Sequence, residues 1–271
     1  MRPLILISND DGVEAEGIRQ LTSMVKDLGD VVVCAPDSAR SGSGMAFSCH
    51  TPLRLRRVRE EEGLHVYSCN GTPCDCVKLA CEMLVDRRPS IVLSGINHGD
   101  NAGVNALYSG TIAVCFEAAL KHLPAVGFSS CKLPREVDFS ALRPYVRSLT
   151  QAVLNHGLPD GLCLNVNAPD AETFAGVQLC RMGRGNWVNE LEERTDPRQH
   201  KYWWVAGRFV SEELGIRNEE LGMKHAIGQD TATLPSDLSM LSQGFITITP
   251  LQTDLTAYSA VDSLRQMLPG E

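Results

Sequence analysis

The sequence predicts an α/β fold, in which a Rossmann-like, mostly parallel sheet is flanked by helices and a C-terminal β-hairpin arm protrudes. Short apolar runs alternate with amphipathic stretches through the first half of the chain, which is typical of a parallel sheet covered by helices. From about Gly183 the composition changes, because three tryptophans lie among charged residues. We therefore divide the chain into an α/β domain, residues 1–184 with 240–271, and an extended arm, residues 185–239, expected to make oligomer contacts.

Apolar runs and helical spacings define the predicted elements of the first half. Ile18, Leu21 and Val25 recur at helical spacing, and Pro73 stands where the first turn of a helix tolerates proline. Ser109 precedes an apolar stretch and is a suitable N-cap. The predicted order is strand Arg2–Ser8, helix Ala15–Asp27, strand Val31–Pro36, an edge hairpin of Leu53–Val58 and Leu64–Cys69, helix Pro73–Val85, strand Ser90–Ser94 and helix Gly110–Lys121.

The alternation of strands and helices continues in the second half. The predicted elements are strand Ala125–Ser129, a helix near Phe139–Leu154, strand Leu162–Val166 and, after the arm, strand Gly244–Pro250 and a short amphipathic helix Tyr258–Met267.

Composition and charge disfavour several classes of function. The 271 residues are 43% hydrophobic and 21% charged, as in ordinary globular proteins. The 33 acidic residues outnumber the 25 basic ones, and the net charge of -8 disfavours binding to a nucleic-acid duplex. No apolar run approaches the ~20 residues of a membrane helix, and Leu4–Ile7 is far shorter than the apolar region of a signal peptide. We therefore expect a cytoplasmic protein with no membrane partner.

Most of the ten cysteines lie in apolar runs, where cysteine behaves as a small hydrophobic residue. We expect them to be buried free thiols, as in a reducing compartment. Cys74 and Cys76 form a C-x-C pair without a second pair at zinc-ribbon spacing, so a metal role is not expected for them.

Paired carboxylates, Asp10 and Asp11, follow the first predicted strand. In open α/β sheets, ligands bind at the carboxyl ends of the strands, and a turn at Gly12 can bring both side chains toward one point. Two close carboxylates repel each other unless a cation lies beside them, and hard divalent ions such as Mg²⁺, Mn²⁺ and Ca²⁺ prefer such oxygen ligands. A plain Asx turn that caps the next helix is the alternative for the doublet alone.

Three more polar segments are predicted near the same edge of the sheet. The loop 37–44 contains small residues that let the backbone approach a ligand, and its Arg40 can pair with phosphate. The loop 95–101 offers asparagine side chains, and Ser109–Thr111 opens a helix whose N-terminus can bind an anion. Ordinary turns and N-capping are the alternatives for each segment taken singly. Together the segments predict a cation site beside an anion site, which is the minimum needed to hold and polarise a phosphate ester.

Other phosphate-binding signatures do not occur in the sequence. The strand-following loops lack G-x-G-x-x-G and Walker lysine patterns, which disfavours a dinucleotide or P-loop site. A haloacid-dehalogenase-type phosphatase needs D-x-D-x-T/V, and the run Asn9–Val13 does not supply it.

Several short motifs follow one another in order: Ile5–Gly12, Ala35–Asp37, Arg40–Gly42, Gly71–Pro73, Gly95–Asn97, Asn101, Tyr108–Thr111, Asn165–Asn167 with Pro169, and Gly244–Leu251 with Asp254. Together they closely resemble the SurE family of 5′/3′-nucleotidases. The resemblance extends over nearly the whole chain.

This resemblance implies a divalent-metal-dependent phosphomonoesterase that hydrolyses nucleoside 5′- and 3′-monophosphates to nucleoside and phosphate, and some members also act on polyphosphate. It implies one divalent ion per subunit, either Mg²⁺, Mn²⁺ or Ca²⁺, and a dimer or tetramer that exchanges C-terminal segments. Asp10 and Asp11 would be catalytic, one of them orienting the attacking water. Carried over residue by residue, the metal ligands are Asp10, Asp11, Ser41 and Asn97, and the phosphate or substrate contacts are Asn9, Gly42, Asn101, Ser109, Gly110 and Thr111.

The chain departs from the family pattern at a few positions. His98 and Asp100 occupy positions that are often small or apolar in the family, and Ser236 and Phe245 replace the usual Thr and Tyr. His98 is the histidine nearest the site and a candidate general acid, with a solvated loop histidine as the alternative. Two other functions stay open: a general acid phosphatase of the same fold, and a non-catalytic nucleotide- or metal-sensing module.

Overall fold

The computed structural model describes residues 2–132, 138–212 and 234–268. The strands are β1 Leu4–Ser8, β2 Asp30–Pro36, β3 Leu55–Glu61, β4 Leu64–Cys69, β5 Ile91–His98, β6 Ala125–Ser130, β7 Leu162–Ala168, β8 Gly176–Leu179, β9 Gly185–Val188, β10 Leu191–Thr195, β11 Lys201–Val205, β12 Arg208–Ser211 and β13 Phe245–Gln252. The helices are α1 Glu16–Val25, α2 Pro73–Leu79, α3 Gly110–Leu120, α4 Arg143–His156, α5 Asp237–Ser242 and α6 Val261–Arg265.

Nine of these strands form one mixed sheet in the order β3-β4-β2-β1-β5-β6-β7-β13-β8. The six strands from β4 to β7 pair in parallel, and β13 is antiparallel to β7. Strand β1 pairs with β2 on one side and with β5 on the other, so the strand order reverses between β1 and β5. A crevice at the carboxyl ends of the two strands is the expected ligand site of such a sheet. The mostly parallel α/β architecture predicted from the sequence is confirmed.

The central strands of the sheet are buried on both faces, which explains why β1 is apolar at every position but its last. Ile5 and Ile7 face a core formed with α1 and α4, whereas Leu4 and Leu6 face a second core with α2 and α3. Strands buried on both sides lose the alternation of polar and apolar residues. The covered sheet therefore leaves mainly its edges and the ends of its strands for ligands.

Several predicted elements differ from the structure in extent. The helix predicted over 73–85 ends at Leu79 and continues as a π-helical turn, Ala80–Leu84. The strand predicted to end at Ser94 runs on to His98, because the polar residues 97 and 98 still pair with β6. The C-terminal helix is reduced to a 3₁₀ turn, Tyr258–Ala260, followed by α6. Strand β8 and helix α5 were not predicted.

The arm contains two antiparallel strand pairs, β9 with β12 and β10 with β11. Every residue of β10 and β11 is exposed, including Trp203 and Trp204. Part of the predicted arm, residues 213–233, lies outside the described residues, so its boundaries and its oligomer contacts stay predictions.

All ten cysteines are free, and seven of them are buried, in agreement with the thiols expected from their apolar neighbours. In the three described ranges, no helix has the length and apolar character needed to cross a membrane.

Candidate active site

The turn after β1 is fixed by the Asn9 side chain. Asn9 Nδ2 donates to the Gly12 carbonyl at 3.0 Å, and Asn9 Oδ1 accepts from the Gly12 N–H at 3.2 Å. Gly12 has a φ of +105°, a region that favours glycine. The Val13 N–H donates to the Pro36 carbonyl at 2.8 Å, which joins the turn to the end of β2. Asn9, predicted to contact substrate, thus uses its amide to hold the turn that carries the two aspartates.

Asp10 lies against the first turn of α3 and is only 5% exposed. Thr111 Oγ1 donates to Asp10 Oδ1 at 2.5 Å, and the Gly110 N–H also donates to this carboxylate. A Cβ built on Gly110 would lie 2.5 Å from Asp10 Cβ, so only glycine allows the helix to approach so closely. Asp10, which follows β1, and Thr111 of α3, both predicted site residues, are therefore in direct contact, although 101 positions separate them.

The environment of Asp10 disfavours its charge. Burial raises the pKa of Asp10 to about 6, the negative charge of Asp11 adds to the rise, and the Thr111 and Gly110 hydrogen bonds oppose it. A cation beside the carboxylate would reverse this balance, because it favours the ionised form.

Asp11 has a carboxylate oxygen that the protein does not satisfy. Burial raises the pKa of Asp11, and the His98 N–H opposes that rise by donating to the carboxylate. Asp11 Oδ2 is buried and has no hydrogen-bond partner among the described residues. A buried carboxylate oxygen without a partner costs free energy, so the geometry favours a missing ligand at this atom.

The loop 37–44 connects the aspartate turn with the start of α3. The Arg40 N–H donates to the Asp10 carbonyl at 2.7 Å, and the Gly44 N–H donates to the Tyr108 carbonyl at 3.1 Å. Between these anchors Ser41 and Gly42 are exposed, and Gly42 has a φ of +72° with open space around its Cα. The two predicted ligand positions of this loop are therefore accessible beside the aspartates.

The Arg40 guanidinium is turned toward the protein. Its Nη2 donates to the Asn70 carbonyl at 3.0 Å and to Asp37 Oδ1 at 3.3 Å. The side chain that the sequence suggested for phosphate pairing is thus held by the loop and by the end of β4.

Asn97 stands at the carboxyl end of β5, next to β1. Its Nδ2 donates to the His98 carbonyl at 3.2 Å and to the Gly99 carbonyl at 2.9 Å. Because both amide hydrogens are used, the Asn97 Oδ1 is the atom that can serve a metal ion.

Asn101 belongs to a buried amide network. Its N–H donates to Asn167 Oδ1 at 2.7 Å, its Nδ2 donates to Ser129 Oγ at 2.8 Å, and its carbonyl accepts from Asn165 Nδ2 at 2.8 Å. Asn167 Nδ2 in turn donates to Asn165 Oδ1 at 2.9 Å. No site role was assigned to these two β7 residues from the sequence, although asparagines at alternate positions of an apolar strand are a usable signal. The network fixes the loop that approaches the crevice.

Another buried acidic residue, Asp237, holds the far end of that loop. It is fully buried at the start of α5, and its carboxylate accepts from the N–H groups of Gly103 at 3.1 Å, Gly183 at 2.8 Å and Leu238 at 2.8 Å. Thr249 Oγ1 in β13 adds a longer bond of 3.3 Å. Sequence reasoning missed this role, because backbone N–H donors carry no sequence signature.

His98 is half-buried beside the aspartates. Its ring lies 5.3 Å from the ring of Phe139, and its Nδ1 is buried without a hydrogen-bond partner in the described part of the chain. Burial lowers the pKa of His98, which favours the neutral imidazole.

The donor set around the aspartates fits a hard divalent cation. The candidate ligands are two carboxylates, the Ser41 hydroxyl and the Asn97 amide oxygen, all of them oxygen atoms. In ranges 2–132, 138–212 and 234–268, no group of three His, Cys, Asp or Glu side chains converges on a point. An ion bound at this edge would therefore depend on neutral oxygens as well as on the two aspartates.

Comparisons with known proteins identify a family that this chain resembles along most of its length. A family model described as "Survival protein SurE" matches residues 5–189. The 5′-nucleotidase SurE of Phocaeicola vulgatus is 44% identical over 264 residues, which cover 97% of this chain and 96% of that protein. The 5′-nucleotidase SurE of Caldanaerobacter subterraneus subsp. tengcongensis is 40% identical and covers 96% of this chain and 95% of its own length.

A solved structure has the same fold. The crystal structure of the SurE protein from Aquifex aeolicus matches 98% of this chain and 99% of its own, with a TM-score of 0.77 at 30% sequence identity. The similarity thus covers the sheet, the crevice and the chain on either side of them.

Proposed function

This chain belongs to the SurE family, and from that premise we propose that it is a divalent-metal-dependent phosphomonoesterase that releases phosphate from nucleoside 5′-monophosphates. One observation carries the proposal. Asp11 presents a buried carboxylate oxygen with no partner among the described residues, next to an Asp10 carboxylate whose pKa burial raises to about 6. Two such carboxylates destabilise the folded protein when no cation is bound, and together they form a strong site for a divalent cation.

Four side chains would hold the ion. Asp10 and Asp11 supply the charge, and the Ser41 and Asn97 oxygens complete the oxygen-rich set. When bound, the ion would polarise the phosphate ester and lower the pKa of a water molecule. Thr111 holds Asp10 in one orientation by its 2.5 Å hydrogen bond, so that carboxylate is already positioned when a ligand arrives.

The phosphate would lie between the ion and the N-terminus of α3. The helix dipole favours an anion there, and Ser109, Gly110 and Thr111 form the first turn. Gly42 allows the backbone of the facing loop to approach, and Asn101 keeps a second amide hydrogen after its bond to Ser129. We therefore propose that Gly42, Asn101 and the first turn of α3 contact the phosphate.

The reaction we propose is a direct displacement by water. The Asp11 carboxylate accepts a hydrogen bond from the attacking water and takes its proton as the water oxygen bonds to phosphorus, while the phosphorus–oxygen bond to the ribose breaks. The departing ribose oxygen gains a proton from solvent or from the imidazolium form of His98, the candidate general acid. Because burial lowers the pKa of His98, that form is the minor one at neutral pH, and donating its proton leaves the neutral imidazole.

The finer assignments follow the family resemblance. We propose that nucleoside 3′-monophosphates and polyphosphate are further substrates, that Mg²⁺ or Mn²⁺ is the working ion, with Ca²⁺ as an alternative, and that the protein acts in the cytoplasm. Ten free cysteines support a reducing compartment. The exposed tryptophans of β11 support assembly into a dimer or tetramer through the arm.

A substrate panel tests the proposal. The full-length protein is assayed with nucleoside 5′- and 3′-monophosphates, polyphosphate and ribose 5-phosphate in Mg²⁺, Mn²⁺, Ca²⁺ or a chelator. We expect phosphate release from 5′-monophosphates that the chelator abolishes and that Asp10→Asn reduces by at least about a hundredfold. Asp86→Asn, an exposed aspartate far from the crevice, is the matched control. Equal rates on every ester would favour a general acid phosphatase, and nucleotide binding without turnover would favour a sensing module.

A further inference from the structure

An exposed apolar cluster, formed by Met45, Leu107 and Tyr108, borders the candidate phosphate site. Tyr108 is 59% exposed, Leu107 52% and Met45 41%. Single exposed apolar side chains are common on protein surfaces, but neighbouring ones at the rim of a crevice are typical of binding sites. We call these three residues the rim cluster.

The rim cluster comes from two segments that are bonded to each other. The Gly44 N–H donates to the Tyr108 carbonyl at 3.1 Å, and a Cβ built on Gly44 would lie 3.3 Å from the Leu107 carbonyl. Gly44 has a φ of +49°, which favours glycine at this crossing. Met45 is therefore held close to Leu107 and Tyr108, although some 60 positions separate the segments.

Hydrogen bonds to the start of α2 fix the backbone just after Met45. Thr72 Oγ1 donates to the Ala46 carbonyl at 2.7 Å, and the Ser48 N–H donates to both Asp75 oxygens at 3.0 and 3.2 Å. Thr72 and Asp75 form the capping box of α2. The apolar side chains are exposed although their backbone is fixed, which is the arrangement of a preorganised binding surface.

The rim cluster also lies directly beside the chemistry. Tyr108 precedes Ser109, the N-cap of α3, and Thr111 in that helix donates to Asp10. Met45 follows the loop whose Arg40 N–H donates to the Asp10 carbonyl. Both segments thus connect the rim to the aspartates within a few residues.

Phe47, a fourth exposed apolar side chain nearby, differs from Tyr108. Lys78 Nζ lies 5.6 Å from the centre of the Phe47 ring and covers one of its faces. Within the described ranges, no aromatic or cationic group lies on the Tyr108 ring. Tyr108 is therefore the ring of this region that remains open for stacking.

We propose that the rim cluster binds the base of the nucleotide substrate, with Tyr108 stacking on the base and Met45 and Leu107 packing against its edge. This inference rests on the proposed function, since it concerns the same site. Stacking tolerates every base because each has a π-face, and sulfur and aliphatic groups adapt to different outlines. We therefore expect broad base tolerance, with purines preferred over pyrimidines because their rings are larger.

The test compares a substrate that has a base with one that lacks it. Adenosine 5′-monophosphate and ribose 5-phosphate share the phosphate and the sugar. We expect Tyr108→Ala to lower the ratio of their kcat/KM values about tenfold, mainly through a higher KM for the nucleotide. Tyr108→Phe keeps the ring and restores most of the ratio. Met83→Ala, at an exposed methionine on the π-helical turn, is the control for loss of surface apolar area.

Other outcomes overturn the inference in separable ways. A parallel loss for both substrates would mean that Tyr108 acts by positioning Ser109, and a changed elution volume of Tyr108→Ala in size-exclusion chromatography would assign the rim cluster to a subunit interface. An unchanged ratio with an active wild-type protein would refute base binding alone. If the wild-type protein releases no phosphate from the nucleotide, the proposed function itself fails.

Discussion

In two regions of the molecule burial raises the pKa of aspartates, and the two regions differ in how the protein satisfies the carboxylates. At the arm base, defined here by Asp237 and its partners, one carboxylate accepts from three N–H groups and one hydroxyl. At the carboxyl edge, defined by Asp10 and Asp11, two carboxylates lie together and Asp11 Oδ2 has no partner in the described part of the chain. Burial raises the pKa in both regions, so the direction of the shift does not separate them.

Hydrogen bonding is what separates the two regions. A carboxylate whose oxygens are satisfied by the protein has no need of a ligand and serves structure. A carboxylate left unsatisfied destabilises the protein until a cation binds, which is a common cost of function. We therefore expect substitutions at the carboxyl edge to change activity, and substitutions at the arm base to change stability.

The largest expected effect is on catalysis. Asp11→Asn keeps the shape of the side chain but removes charge from the candidate metal site and weakens the orientation of water. We expect kcat on a nucleoside 5′-monophosphate to fall roughly a thousandfold, with no loss of thermal stability in chelator. Steady-state kinetics and a melting curve in EDTA check both parts. If Asp11→Asn lost stability as well as activity, Asp11 would stabilise the fold, as we expect for Asp237.

The next effect is on stability without metal. The usual pKa of an aspartate is 3.8, and burial in the folded protein raises the pKa of Asp10 to about 6. Between these values the folded protein keeps a proton that the unfolded chain has lost, so the free energy of unfolding falls as the pH rises through this window. The fall amounts to about 3 kcal/mol. Asp10→Asn lacks this carboxylate and should not show the fall. In EDTA, its free energy of unfolding relative to that of the wild-type protein should therefore rise by about 3 kcal/mol as the pH increases from 4 to 7.

Urea unfolding at a series of pH values measures the difference, with Asp86→Asn as a control expected to follow the wild-type protein. A constant difference between Asp10→Asn and wild type across the window would mean that Asp10 is not a strained carboxylate. Added Mn²⁺ should reverse the order of stability at pH 7, because it binds only the charged site.

The carboxyl edge was easier to predict than the arm base, for a physical reason. Strand ends and helix starts lie on one edge of a parallel sheet, so Asp10 and Thr111 could be placed together although 101 positions separate them. Asp237 meets Gly103 and Gly183 through backbone N–H groups at separations of 134 and 54. Any residue but proline supplies such a donor, so no sequence pattern marked the contact.

The end of β5 was missed because side-chain polarity and backbone pairing disagree there. The run Gly95–His98 contains polar residues and a glycine, which favour a loop, yet Asn97 pairs with Ser129 and the strand continues. The family resemblance, rather than the polarity of the run, is what placed Asn97 among the ligands.

At the arm base we expect a loss of stability. Asp237→Asn replaces one acceptor oxygen with an amide nitrogen that must face an N–H or hydroxyl donor. The unfolding free energy should fall by about 2 kcal/mol, because a buried donor loses its partner. The KM for nucleotide should rise modestly, since Gly103 lies in the segment that leads to Tyr108, while kcat stays within about threefold. A kcat loss as large as that of Asp11→Asn would end the distinction between the two regions.

The smallest expected effect separates the members of the arm base. Thr249→Val removes the longest of the four bonds to Asp237, at 3.3 Å, and leaves the three N–H donors in place. Because the carboxylate stays largely satisfied and the side chain keeps its volume, the unfolding free energy should fall by about 1 kcal/mol, with kcat and KM unchanged. Paired urea titrations of Thr249→Val, Asp237→Asn and the double variant give the coupling between the two residues. A single-variant loss equal to that of Asp237→Asn would mean that the hydroxyl, not the backbone donors, dominates the stability of this region.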